Sequence, residues 1–312
     1  MSILRYCRQE RIEEVRNDPH YIGRVGLASQ LTFVEGGDEG NRLILKSDAA
    51  SDEPSGAVLR VIGKISRTKH SLRPQGTYNP PKKLKGDNVT KAKLRFLLEP
   101  AEDFKSVSLD ADFDNFLENL IAIHNDDLKG SKPPTVQRPF DKKKGVTVMH
   151  NLVIVRPPSF HLVSDFIDGQ NPGCQNLSTK PRQDEGDMIN SDIDEDEDED
   201  ANITPNILNN SISIENWPVA PDSLWRKELE SVKNTHDIFP LQAFNSKGEL
   251  IHPSDYVRKL AGAVVDMSFT LVHYNFAKVS RMCVFVTEIR VLVSPKPLPG
   301  SVTSTRRGII RK

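Results

Sequence analysis

Seven consecutive carboxylates, Asp194–Asp200, set the strongest limit on how this chain can fold. Spaced at roughly 3.5 Å along an extended backbone, they repel one another and cannot be desolvated together. Their flanks are rich in Asn, Ser, Pro, Gly and Gln and carry no sustained apolar period. That composition predicts a disordered acidic linker over residues 169–214. With Asp184, Glu185, Asp187 and Asp192, the run makes eleven acids against Lys180 and Arg182, a net −9. The whole chain, with 42 Lys+Arg and 43 Asp+Glu in 312 residues, carries only −1, so everything outside the linker carries +8. The bland reading of the run is a solvated spacer. The sharper ones are an internal nucleic-acid mimic that competes for a basic surface, and a handle on Asp194–Asp200 for a basic protein such as a histone. Ser191, just ahead of Asp192 and Asp194–Glu195, suits an acid-directed kinase.

The apolar fraction is 37% and aromatics make up 6%, low for a chain that folds throughout. Cys7, Cys174 and Cys283 lie too far apart for a disulfide framework or a zinc knuckle. No apolar run approaches the ~18 residues of a membrane span. The opening MSILRYCRQERIEEV lacks a signal-peptide core. The expected location is intracellular, in nucleus or cytoplasm, with no membrane partner.

Outside the linker the pattern is mostly β. Residues 1–24 hold a short amphipathic helix, with Leu4, Cys7, Arg11 and Val15 at helical spacing. Strands are expected at Val25–Val34, Arg42–Lys46 and Ala57–Ser66, then a long loop over 67–91 and a strand at Lys91–Leu98. Asp112–His124 places Phe113, Phe116, Leu117, Leu120, Ile121 and His124 on one helical face, with Asp110 or Asp112 as N-cap. Gly145–Val155 reads as β. Beyond the linker come a helix at Asp222–Val232 capped by Asp222, a short helix at Asp255–Leu260 capped by Ser254, and two long strands, Ala263–Tyr274 and Met282–Val293. A basic flexible tail is expected over 296–312.

No βαβ alternation occurs, which argues against a doubly wound parallel sheet. Residues 215–295 alone supply too few strands to close a barrel. The expected fold is mainly β, an OB-like β-barrel assembled from 25–168 and 215–295 around the linker, with a few helices; α+β is the alternative.

The segment Phe239–Val293 runs FPLQAFNSKGELI, then DYVRKLAGAVVDMSFTLVHY, then FVTEIRVL. It resembles the C-terminal part of OB-fold single-stranded DNA-binding proteins of the phage T7 type and related phage families. It is also similar to uncharacterised proteins of mushroom-forming fungi. The first resemblance implies an OB-fold and single-stranded DNA as ligand. It departs from that family in carrying its acidic segment internally and ending basic.

Catalytic motifs are missing: the sequence has no P-loop, dinucleotide-binding glycine fingerprint, zincin helix or nucleophile elbow. Asp110, Asp112 and Asp114 read as capping acids rather than a metal site, and His150, His161, His252 and His273 as core or surface residues. No cofactor is expected. The positive signal is cations interleaved with strands: Lys64, Arg67, Lys69, His70 and Arg73; Lys82, Lys83 and Lys85; Lys91, Lys93 and Arg95; Lys142–Lys144. Tyr78, Tyr274 and Phe276 are the candidate base-stackers. Cations on one barrel face with aromatics nearby hold single strands without sequence preference. The reading is a non-enzymatic single-stranded nucleic-acid-binding protein, in which the acidic segment tempers binding. The alternative is an interaction or chaperone-like scaffold whose acidic segment engages basic partners.

Overall fold

The structure, a computed structural model, describes residues 3–36, 40–51, 54–80, 88–101, 109–128, 135–141, 145–155, 212–276 and 279–296, with the side chains of 3–8 and of Phe276 left aside. The acidic run, Ser191, His161, Lys82, Lys83, Lys85, Lys142–Lys144 and the basic tail from 297 lie outside the described residues.

The chain opens with α1 (Ile3–Asn17), then β1 (Leu31–Val34), β2 (Asn41–Leu45), β3 (Leu59–Ser71) and β4 (Lys93–Glu99). Helix α2 (Leu109–Asp127) leads to β5 (Thr135–Gln137), β6 (Phe140–Asp141), β7 (Gly145–Asn151) and β8 (Val153–Val155). After the acidic region come α3 (Leu224–Val232), β9 (His236–Ile238), β10 (Gln242–Phe244), α4 (Tyr256–Leu260), β11 (Val264–Phe276) and β12 (Val279–Val293).

Five strands close into a ring. Strand β3 pairs antiparallel with β4, β4 antiparallel with β7, and β7 parallel with β12; β12 returns antiparallel to β11, and β11 antiparallel to β3. Counted along the chain, the ring order is first, second, third, fifth, fourth, and the one parallel pair joins the third to the fifth. Parallel neighbours need a long crossover, and here it contains the acidic run. Three ring strands precede the acidic run and two follow it, so neither half closes alone. The fold is mainly β, OB-like, with four helices among the described residues.

Alternation places Leu94, Phe96 and Leu98 of β4, Val146 and Val148 of β7, Leu271 of β11 and Val284 of β12 inside the ring, all buried. A bulge opposite Ser268/Phe269, where Thr287 has no partner, resets the facing on β12, so that Val286 as well as Ile289 turns inward and Val286 meets Phe269. Helix α2 adds Phe113, Phe116, Leu117 and Leu120 to the same core, with the Phe116 and Phe269 ring centroids 5.9 Å apart. Outside, Ile12 and Val15 of α1 cover Ile62, Val264 and Leu292. Strand β3 is therefore apolar on both faces over part of its length.

Several local expectations are corrected. Residues 27–30 form a 3-10 turn entered through Gly26 at φ 80°, so the first strand begins only at Leu31. The supposed loop after Ser66 is still strand to Ser71, held by Ser71 opposite Arg95. Lys91 sits in a 3-10 turn, Val89–Lys91, ahead of β4. Asp112 lies within α2 rather than capping it; its buried carboxylate accepts from the Tyr21 hydroxyl at 2.8 Å and pairs with Arg16 Nε at 2.8 Å. Ser223, not Asp222, caps α3, accepting from the Arg226 amide at 3.1 Å. Ser254 falls inside a 3-10 turn, Pro253–Asp255, and α4 starts at Tyr256. Ile214, at the end of the expected linker, is buried in the core.

Candidate nucleic-acid interface

The ring's outer surface has two unlike halves. On the half under α1, cations are neutralised. Arg60 pairs with Asp18 and Asp266 at 2.6 Å each, Arg16 with Asp112, and Arg11 with Glu14 and Asp266. Burial pushes the Asp266 carboxyl up, and Arg60 works against that shift.

The other half is the outward face of β4, β7, the first part of β12 and the last part of β11. Register assembles it. Arg95 stands opposite Met149, and Met149 opposite Phe285; Lys93 stands opposite Asn151, and Tyr274 opposite Arg281. Strand β2 extends the sheet beyond β11, with Arg42 opposite Val272. Strand β5 lies parallel to the start of β12, where Gln137 accepts from Arg281 Nε at 2.6 Å. The outward positions Lys93, Arg95 and Leu97, Thr147, Met149 and Asn151, Arg281, Cys283 and Phe285, Thr270, Val272 and Tyr274, with Arg42, include four cations and no carboxylate. Among the described residues, no carboxylate pairs with Arg42, Lys93 or Arg95, and Arg281 bonds a neutral amide. Arg42, Arg95 and Arg281 are exposed.

Both aromatics are half-buried. The Lys93 Nζ stands 5.3 Å from the centroid of the Phe285 ring. Burial lowers the Lys93 pKa, with Arg281 adding to the shift and the Cys283 thiol opposing it. Burial raises the Cys283 thiol in turn. Gly40, at φ 85°, lies against Tyr274: a Cβ there would sit 2.9 Å from its ring carbons.

The expected site residues separate accordingly. Lys93, Arg95 and Tyr274 share this face, and the Phe276 backbone pairs with Val279 at the adjoining hairpin end. Lys69 and Arg73 are exposed, on the end of β3 and in the turn after it. Lys91 is exposed in its turn. Lys64 stands between Glu99 and Val264 at the α1-covered end. Arg67 donates to the Lys296 carbonyl at 2.5 Å and lies against Gly262. Tyr78 is buried and bonded to Glu228. Arg42, Arg281 and Phe285 escaped the sequence reading. The alternation of Arg281, Cys283 and Phe285 against Met282, Val284 and Val286 was the available signal.

The histidines serve the fold. His150 is buried, its Nε2 2.8 Å from the Phe239 carbonyl. His252 Nδ1 accepts from the Ser254 amide. His273 is buried against Asp127 and 2.6 Å from the Ser280 hydroxyl. Among the described residues no cluster of three or more His, Cys, Asp or Glu has the geometry to hold a metal ion.

No protein-family model matches the chain, and no curated protein matches it. Solved structures do. The single-stranded DNA-binding protein gp2.5 of bacteriophage T7 aligns over 82% of this chain and 99% of its own, at 11% identity and a TM-score of 0.35. The single-stranded DNA-binding protein of bacteriophage Enc34 in complex with single-stranded DNA aligns over 86% and 98%, at 10% identity and a TM-score of 0.31. Its C-terminally truncated form aligns over 87% and 100%, at 10% identity and a TM-score of 0.28.

Proposed function

We propose that the chain is a non-enzymatic binder of single-stranded nucleic acid. The observation that carries this is the carboxylate-free outer face, on which Arg42, Lys93, Arg95 and Arg281 surround Tyr274 and Phe285. On the α1-covered half Arg11, Arg16 and Arg60 each have a carboxylate partner; on this face the cations have none among the described residues. A strand of phosphates supplies the missing anions, and its bases stack on aromatic faces of any sequence. The second and third strands of an OB ring are a known oligonucleotide-binding face, and β4 and β7 hold those places here. Lys69 and Arg73 extend the track beyond Arg95. Fluorescence anisotropy of a labelled oligonucleotide, DNA and RNA in parallel, tests the reading at ~50 and ~200 mM salt. Binding that weakens steeply with salt supports it. No binding at the lower salt, or binding indifferent to salt, refutes it.

A further inference from the structure

Phe285 is the aromatic at the centre of the proposed face, yet its ring is already occupied. The Lys93 ammonium stands 5.3 Å from the ring centroid, and among the described residues it has no carboxylate to hold it elsewhere. Around it are Asn151 on β7, Arg281 and Cys283 on β12, and Arg95 two residues along its own strand. A second cation, Arg281, lies near enough to disfavour its charge, and burial does the same. The ammonium is thus poorly solvated, repelled by a neighbour and retained chiefly by the ring. A phosphate nearby would offer it a better partner.

We propose that Lys93 and an incoming base compete for one face of Phe285: the ammonium caps the ring in the free protein, and on binding it moves to a phosphate as a base takes its place. This rests on the proposed single-strand reading. Lys93 then has two opposed effects. Its charge favours any anionic backbone, while its position on the ring opposes stacking. The free protein also keeps a large apolar ring covered until a strand with bases arrives.

The test compares a thymidine oligonucleotide with an abasic oligonucleotide of equal length. For each protein, the ratio of the two dissociation constants reads the base contribution alone. Lys93→Ala should weaken binding to both, yet widen the preference for the base-bearing strand by about two- to fivefold, the range of one exposed cation–π contact. On a Phe285→Leu background, Lys93→Ala should leave the ratio unchanged. A ratio that stays constant or narrows in Lys93→Ala, while both strands still bind, overturns the competition and leaves the single-strand reading standing. Failure of the wild-type protein to bind either strand defeats that reading instead, and this inference with it.

Discussion

Removing Arg95 and Arg281 together is the most informative perturbation of the proposed interface. Four cations face outward with no carboxylate partner among the described residues, Arg42, Lys93, Arg95 and Arg281. If each neutralises one phosphate of a single strand, releasing about 0.7 counterion apiece, the slope of log affinity against log salt is roughly −2.8. A fourfold rise in salt, ~50 to ~200 mM, then costs about fiftyfold in affinity. The double variant Arg95→Ala/Arg281→Ala leaves two contacts, so the slope should fall to roughly −1.4 and the same rise should cost about sevenfold. Arg258→Ala is the control. That guanidinium is paired with Asp255 at 2.9 Å on α4, so it has little charge to offer and the slope should not move. Anisotropy titrations at four or more salt concentrations measure all three slopes. The reasoning is wrong if the double variant keeps the wild-type slope, or if Arg258→Ala lowers it as much.

Three further outcomes follow from the fold. Asp112→Ala removes the buried acceptor of the Tyr21 hydroxyl and the Arg16 guanidinium; urea unfolding should show a loss of about 1–3 kcal/mol. Gly145→Ala should destabilise by more than about 1 kcal/mol in the same assay, because the residue sits at φ 109° and its new Cβ would lie 2.1 Å from the Leu98 carbonyl oxygen. Burial, with help from Arg138 and His273 and against Asp127, lowers the His124 pKa from 6.5 to about 4. The unfolded chain therefore takes up a proton at this site between pH 6.5 and 4 that the folded chain refuses, so stability is full above 6.5 and falls as pH drops towards 4. Replacing His124 with Leu should flatten that part of a melting-temperature profile against pH; an unchanged profile would remove His124 as its source.

Much of the fold is legible along the chain. Period-two alternation marks β4, β11 and β12, and the 3.6-residue period of Phe113, Phe116, Leu117 and Leu120 marks α2, because each pattern records which face is apolar. Helix starts are read less well. Ser223 and Asp222 are adjacent and chemically alike as caps, and Asp112 looks like a cap until Tyr21 and Arg16, distant along the chain, arrive to bury it. Lys93, Arg95 and Tyr274 fall on one face of the ring, as alternation along β4 and β11 implies. Arg42, Arg281 and Phe285 gain their place from neighbours far along the chain: Val272 beside Arg42, Gln137 beside Arg281, and Lys93 beside Phe285.

The amino-acid order carries local free energies, apolar period and turn chemistry, and it fixes the division of charge between the acidic run and the rest of the chain. Tertiary structure decided which cations meet a carboxylate among the described residues. Arg60 and Arg95 look alike in sequence, each alternating with apolar residues on a strand. Closure of the ring brings Arg60 to Asp18 and Asp266, and Arg95 to Met149. Cross-strand neighbours are set by a register that forms only when distant segments pair, so a charge pattern becomes a surface only once the ring has closed.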